Sequence, residues 1–212
     1  MNQEPPMNDE PVPPDQPTQP AVPAEEHEAE PPVQPRIWVA SLADYNNGSL
    51  HGAWLDAARD EPELQADVDS MLAASPLTAA TGEPVEEWVI FDYDGFGRLR
   101  IDEHENLHWI SLVAKGIHEH GLAFAAYADV VEEEELLAGF NDDYLGHYDS
   151  LQAYVEQAVN DLGSEDALDA AVPPSLRPYV KIDLSATAND LLRGGDLLVI
   201  PAAGGGVWIF RG

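Results

Sequence analysis

The sequence predicts an α+β protein of three small units behind a disordered tail, and three observations carry that prediction. Residues 1–35 hold 11 of the 18 prolines and almost no large apolar side chain, so they cannot bury enough surface to offset their ordering entropy. From Arg36 onward, short strand-like runs alternate with helical stripes, and no internal repeat is visible. Hydrophobic residues make up 44% of the chain, with five Trp, seven Tyr and five Phe. That is enough for real cores despite a heavy charge.

The first unit, residues 36–102, reads as α+β. Residues 37–41 form a strand, Tyr45-Asn46-Asn47-Gly48 supplies the Asn-Gly turn of a hairpin, and residues 50–56 return as a second strand carrying Trp54. Pro62 sits where a first helical turn tolerates it. Leu64, Val68, Met71 and Leu72 then fall at i, i+4, i+7 and i+8, which places a helix there with Asp67 and Asp69 off its apolar stripe. Residues 86–91 (EEWVIF) make a third strand.

The second unit, residues 103–139, is helical. Leu107, Ile110, Ala114 and Ile117 share one face, and Gly121 marks the stop. An apolar run over 123–131 and a segment in helical register over 132–137 follow. The third unit, residues 140–212, is again α+β. It opens with a polar aromatic loop, NDDYLGHYDS, and Asp149 or Ser150 caps a helix striped by Leu151, Tyr154, Val155, Ala158 and Leu162. Val172-Pro173-Pro174 breaks the chain. A short helix over 186–192 then precedes two apolar strands, 197–200 and 207–210, joined by a Gly-rich turn.

Charge bounds the function more tightly than any motif. The chain has 40 Asp or Glu against nine Lys or Arg, a net charge of −31, and residues 36–212 keep 32 acids against those nine bases, or −23. The excess therefore belongs to the folded part. Duplex DNA carries one negative charge per about 1.7 Å of axis, so −23 is the charge of roughly 40 Å of duplex. Such a chain repels nucleic acid and membrane surfaces and attracts what normally binds them. The absence of Cys removes disulfides, thiolate metal sites and thiol nucleophiles, and suits a reducing cytoplasm. The first residues lack a basic and apolar leader, and no window is apolar enough to span a membrane.

Three motifs invite specific chemistry. His104-Glu105-Asn106-Leu107-His108 matches H-E-x-x-H, in which two imidazoles on one helix face hold zinc and Glu105 activates a bound water. Its setting is poor, because the match falls where a helix begins and two acids, Asp102 and Glu103, stand immediately upstream. Residues 92–103 match an EF-hand loop at Asp92, Asp94, Gly97, Leu99 and Glu103. Phe96, however, stands where an oxygen ligand is needed, and a strand precedes the run. Gly204-Gly205-Gly206 lacks the Lys, Ser/Thr and following helix of a phosphate loop, and reads as a hairpin turn. The expectation is no catalytic residue, no metal and no cofactor, with a zinc hydrolase or a calcium-binding module as the alternatives. Adaptation to high salt would account for the acidity without any partner.

Three stretches together resemble the ArdA antirestriction family. They are IWVASLADYNNGSLHGAW at 37–54, FDYDGF at 91–96, and the acidic, tyrosine-rich FNDDYLGHYDSLQAYVE at 140–156. The resemblance runs over residues 37–212 in order and leaves out the Pro-rich leader. It implies an elongated, curved chain of three small domains, a homodimer, and a DNA mimic that inhibits Type I restriction–modification enzymes in the cytoplasm without making or breaking a bond. Carboxylates would stand in for phosphates in the enzyme's DNA-binding groove. The acidic surface expected to do this comprises Asp92, Asp94, Asp102, Glu103, Glu105, Glu132, Glu133, Glu134, Glu135, Asp142, Asp143, Asp149, Glu156 and Asp161.

Overall fold

Three strands and the helices laid on one of their faces make the first half of the computed structural model, which describes residues 33–131 and 133–212. The expected tail, apart from its last three residues, and Glu132 lie outside the described residues. Those last three residues correct the tail boundary. The Pro35 carbonyl accepts from Ala57 N at 2.9 Å, and Val33 packs against the core, so the folded chain starts before Arg36.

Strands β1 (Arg36–Ser41), β2 (Gly52–Asp56) and β3 (Trp88–Asp94) pair antiparallel in the order β2-β1-β3. Alternation turns Ile37, Val39, Leu55 and Ile90 inward, each nearly or wholly buried. The hairpin forms as expected, but its connection is a one-turn helix, α1 (Leu42–Asn46), rather than a two-residue turn. The Ser41 hydroxyl starts α1 by accepting from Asp44 N at 3.2 Å, and Gly48 leaves it at φ +83°. Such a φ suits glycine.

Asp44 is fully buried and is held at both oxygens. Ser75 Oγ donates to it at 2.6 Å and Leu77 N at 3.0 Å. Burial pushes its pKa up, but the hydrogen bonds from Ser75, Ser41 and Leu77 and the nearby His51 outweigh this, so the carboxyl sits below its usual range. This one side chain fixes α1 against α3 (Pro76–Thr81), whose N-cap is Ser75.

Helix α2 (Glu61–Ala73) buries Leu64, Val68, Met71 and Leu72, the stripe its sequence carries. Helix α4 (Leu107–His120) buries Leu107, Ile110, Ser111, Val113, Ala114 and Ile117, more than one stripe's worth. Burial of each large apolar side chain contributes about 1.5–3 kcal/mol. Asn106 caps α4 by accepting from His108 N at 2.7 Å, and Gly121 ends it. Helix α5 (Leu122–Ala128) folds back along α4, with the Phe124 ring lying over Gly116, where a Cβ would collide with it. Helix α6 (Glu134–Leu137) is a single turn.

The expected loop over 141–150 is instead a helical turn, α7 (Phe140–Asp143), followed by strand β4 (Tyr144–Tyr148). Pairing decides this. Strand β4 joins β6 (Val207–Arg211), which also pairs with β5 (Leu197–Pro201), in the antiparallel order β4-β6-β5. Between the sheets' strands run α8 (Leu151–Asp161), α9 (Ser164–Ala171), which the sequence reading omitted, and α10 (Leu184–Gly194). Ser150, not Asp149, caps α8, accepting from Ala153 N at 3.2 Å.

Phe210 is wholly buried and its ring meets Tyr127 at 5.0 Å, Tyr144 at 5.3 Å and Phe140 at 5.9 Å between centroids. This aromatic cluster spans the sequence boundary at 139/140. Likewise Ile90 N donates to the Glu103 carbonyl at 2.9 Å across 102/103. No helix among the described residues is long and apolar enough to cross a membrane.

Candidate functional site

Carboxylates end up outside because the apolar stripes of each element consume the inward positions. Of the 14 acids singled out above, Asp92, Asp94, Asp102, Glu103, Glu133, Glu134, Glu135, Asp142, Asp149, Glu156 and Asp161 are exposed. Glu105 and Asp143 are half-buried, and Glu132 lies outside the described residues. Asp92 and Asp94 project from β3. Asp102, Glu103 and Glu105 sit in the turn that precedes α4, while Glu133–Glu135 lead into and begin α6. Asp142 and Asp143 lie in α7, and Asp149, Glu156 and Asp161 before and along α8.

Several of these carboxylates are also engaged within the chain, Asp94 and Asp143 among them. Asp94 accepts from Arg36 Nε at 3.2 Å and Nη2 at 3.1 Å. Asp143 accepts from the Tyr127 hydroxyl at 2.7 Å. Burial first, and then that carboxylate, push the Tyr127 phenol up to about 12. The other cations in ion pairs among the described residues follow the same pattern: Arg59 binds Glu63 and Asp67, Lys115 binds Asp60, and Arg177 binds Glu165 and Asp169. Four of the nine Lys and Arg are therefore tied up within the chain. The surface left over is strongly anionic.

The acids also converge in a way that sequence alone does not give. His108 stands between two of them, with Nδ1 2.9 Å from Glu61 Oε2 and Nε2 2.9 Å from Glu134 Oε1. Both ring nitrogens can donate only in the imidazolium form. The hydrogen bonds to Glu61 and Glu134 accordingly hold its pKa above the ordinary histidine value. One shallow groove lined by Glu61, His104 and Glu105 adjoins another lined by Asp60, Glu61, His108 and Lys115. A third shares Lys115 and adds Glu119, Glu134 and Glu135. Sequence reasoning found Glu105, Glu134 and Glu135 but missed Asp60, Glu61 and Glu119. Only the packing of α2 against α4 brings them alongside.

The two metal motifs dissolve in this geometry. Helix α4 begins at Leu107, behind the Asn106 cap, so His104 lies in the preceding turn while His108 is inside the helix. The two imidazoles therefore do not share a helix face, and His108 is engaged by Glu61 and Glu134. In the EF-hand match, β3 occupies the place of the incoming helix, and Phe96 is buried in the core. Among the described residues, no group of three or more His, Asp or Glu is placed to hold a metal ion.

What the arrangement can do is bind cations. Helices, strands and the turns between them present exposed carboxylates, and acids outnumber bases 32 to nine over residues 36–212. A family model for the antirestriction protein ArdA matches residues 37–203. No curated protein gives a significant match. The family model covers well over half of the chain, and the chain belongs to the ArdA family of antirestriction proteins.

Proposed function

We propose that this member of the antirestriction family acts as a DNA mimic, inhibiting Type I restriction–modification enzymes by occupying their DNA-binding groove. One observation carries the reading: residues 36–212 hold an acid excess of −23, most of the acids among the described residues are exposed, and four of the nine bases are engaged in internal pairs. Carboxylates in that setting engage the Lys and Arg that line a DNA groove and displace their counterions, as phosphates do. The mechanism is competition, and no covalent step is involved. The three-part division at 102/103 and 139/140, a homodimer formed through residues 140–212, and a cytoplasmic location belong to the same reading.

The test is an in vitro restriction assay with several Type I enzymes and added protein, at a series of substrate DNA concentrations. Inhibition that is relieved by excess DNA is the expected result. Inhibition that more DNA cannot relieve would remove groove occupancy as the mechanism, and no inhibition of any Type I enzyme would remove the target class.

A further inference from the structure

Cross-strand pairing sets the outward face of the first sheet in two rows. One row runs Asp56, Arg36, Asp94 and the next runs Trp54, Trp38, Asp92. Directly opposed residues in such rows have Cβ atoms about 4.5–5.5 Å apart. The alternate positions Ile37, Val39, Leu55 and Ile90 are buried, and Ala53 and Tyr93 pack partly buried against the core, so these six side chains point away from it. Trp54 is 40% exposed, Trp38 is half-buried, and the three carboxylates are exposed against a single guanidinium.

That guanidinium reports what the face binds. Arg36 Cζ lies 4.6 Å from the ring centroid of Trp54 while its Nε and Nη2 donate to Asp94. One indole and one carboxylate thus hold one arginine. The second row repeats the same pair of groups, Trp38 beside Asp92. Asp92 makes no ion pair among the described residues, and its Oδ1 accepts only from Tyr93 N, at 2.8 Å. Trp38 and Trp54 meet edge to face at 5.8 Å with a 64° interplanar angle, so their rings face different directions.

We propose that this face is an arginine-binding contact surface for the restriction–modification enzyme. A guanidinium from the enzyme's DNA groove stacks on Trp38 and takes Asp92, as Arg36 stacks on Trp54 and takes Asp94. Arginine rather than lysine fits, because its planar fork can lie against an indole and still present paired donors to a carboxylate. An arginine that meets a phosphate and a flat nucleotide surface on DNA meets a carboxylate and a flat indole here. The inference rests on the groove-binding reading and adds to it an aromatic anchor, the Trp38 ring, whose contribution does not come from net charge.

The test uses that difference. The full chain displaces a fluorescent duplex from a Type I restriction–modification enzyme at several salt concentrations, as wild type, Trp38→Leu, Trp38→Phe and Asp92→Asn, with circular dichroism as the check on folding. Trp38→Leu leaves the charge untouched, so it should weaken binding about three- to tenfold with the salt slope unchanged. Asp92→Asn should weaken binding and flatten the slope, and Trp38→Phe, which keeps a ring, should fall between wild type and Trp38→Leu. Should Trp38→Leu fail to fold, Trp38→Phe and Asp92→Asn decide. Wild type that displaces DNA while every folded variant binds within twofold of it overturns the arginine face and leaves the groove reading standing. Wild type that fails to displace DNA overturns both.

Discussion

The two halves of the fold cover their helices very differently. In the first, α4 alone buries six side chains, and Ile37, Val39, Leu64, Val68, Ile110, Val113 and Ile117 are wholly inaccessible. In the second, α8 buries only Val155, α10 only Ala188, and α9 nothing. Leu162 there is 80% exposed and Tyr179 84% exposed, while Leu176 and Leu192 also face out. The first half is a core completed within one chain. The second is a sheet with thinly covered helices. Large apolar side chains face out in both halves, Tyr45, Leu50 and Leu136 of the first among them, and the proposed homodimer gives those of the second a use. Both halves are net acidic, −16 over residues 36–139 and −7 over 140–212, so the half with the fuller core also displays more carboxylates.

The largest expected effect lies in the first half. Ile110→Ala should cost about 2–5 kcal/mol through a cavity, read by urea unfolding at low protein concentration. Leu162→Ala should stay within about 0.5 kcal/mol under the same conditions. Equal losses at the two sites would erase the contrast. Gly116→Ala comes next. Its added Cβ meets the Phe124 ring, and overpacking of this kind costs about 1–3 kcal/mol.

The second half is sharpened by association rather than by unfolding. Leu162→Glu combined with Tyr179→Glu should shift the chain from dimer to monomer in sedimentation velocity and leave the urea midpoint of the monomer unchanged. Wild type that sediments as a monomer would leave the surplus apolar surface without the proposed use.

A smaller, pH-dependent effect belongs to the junction of α2, α4 and α6. The folded His108 pKa is raised by Glu61 and Glu134, so its stabilising contribution is complete below the ordinary value of about 6.5. It is lost as pH rises through the folded value. Asp60 behaves oppositely. Its pKa is lowered by the hydrogen bond and then the charge of Lys115, so its contribution is present at neutral pH and lost as pH falls through the carboxylate range. Thermal melts across pH 5–9 should show a decline on the alkaline side in wild type that His108→Gln abolishes. The same decline in the variant would remove His108 as its source.

The smallest effects are those of single carboxylates. Neutralising Glu156 or Asp161 alone should change stability and enzyme affinity by about 0–1 kcal/mol, as exposed charges do.

Periodicity made much of the first half legible. The stripes of α2 and α4 appear residue for residue in the core, and β1, β5 and β6 fall on the short apolar runs that the sequence marks as strands. Two local signals misled. Asn46-Asn47-Gly48 reads as a hairpin turn, yet the Ser41 cap and buried Asp44 wind the preceding residues into α1. Tyr144–Tyr148 reads as a loop because it lies in the polar aromatic run NDDYLGHYDS, and its partner β6 lies some 60 residues downstream, with a register shift between Tyr144 and Gly146. The exposure of most of the acids was legible as the complement of the apolar stripes. Engagement of individual acids was not, since His108 reaches Glu61 across 47 residues and Glu134 across 26.

Salt-dependent competition with DNA bears most directly on charge mimicry. The measurement is affinity for a Type I enzyme, by displacement of a fluorescent duplex over a range of ionic strengths, for wild type and for a variant with Glu133, Glu134 and Glu135 all changed to Gln. Replacement of phosphate contacts predicts that affinity falls steeply as salt rises, and that the block variant binds more weakly than any single variant with a flatter salt dependence. An affinity indifferent to both salt and block neutralisation would contradict the account, even if restriction were still inhibited.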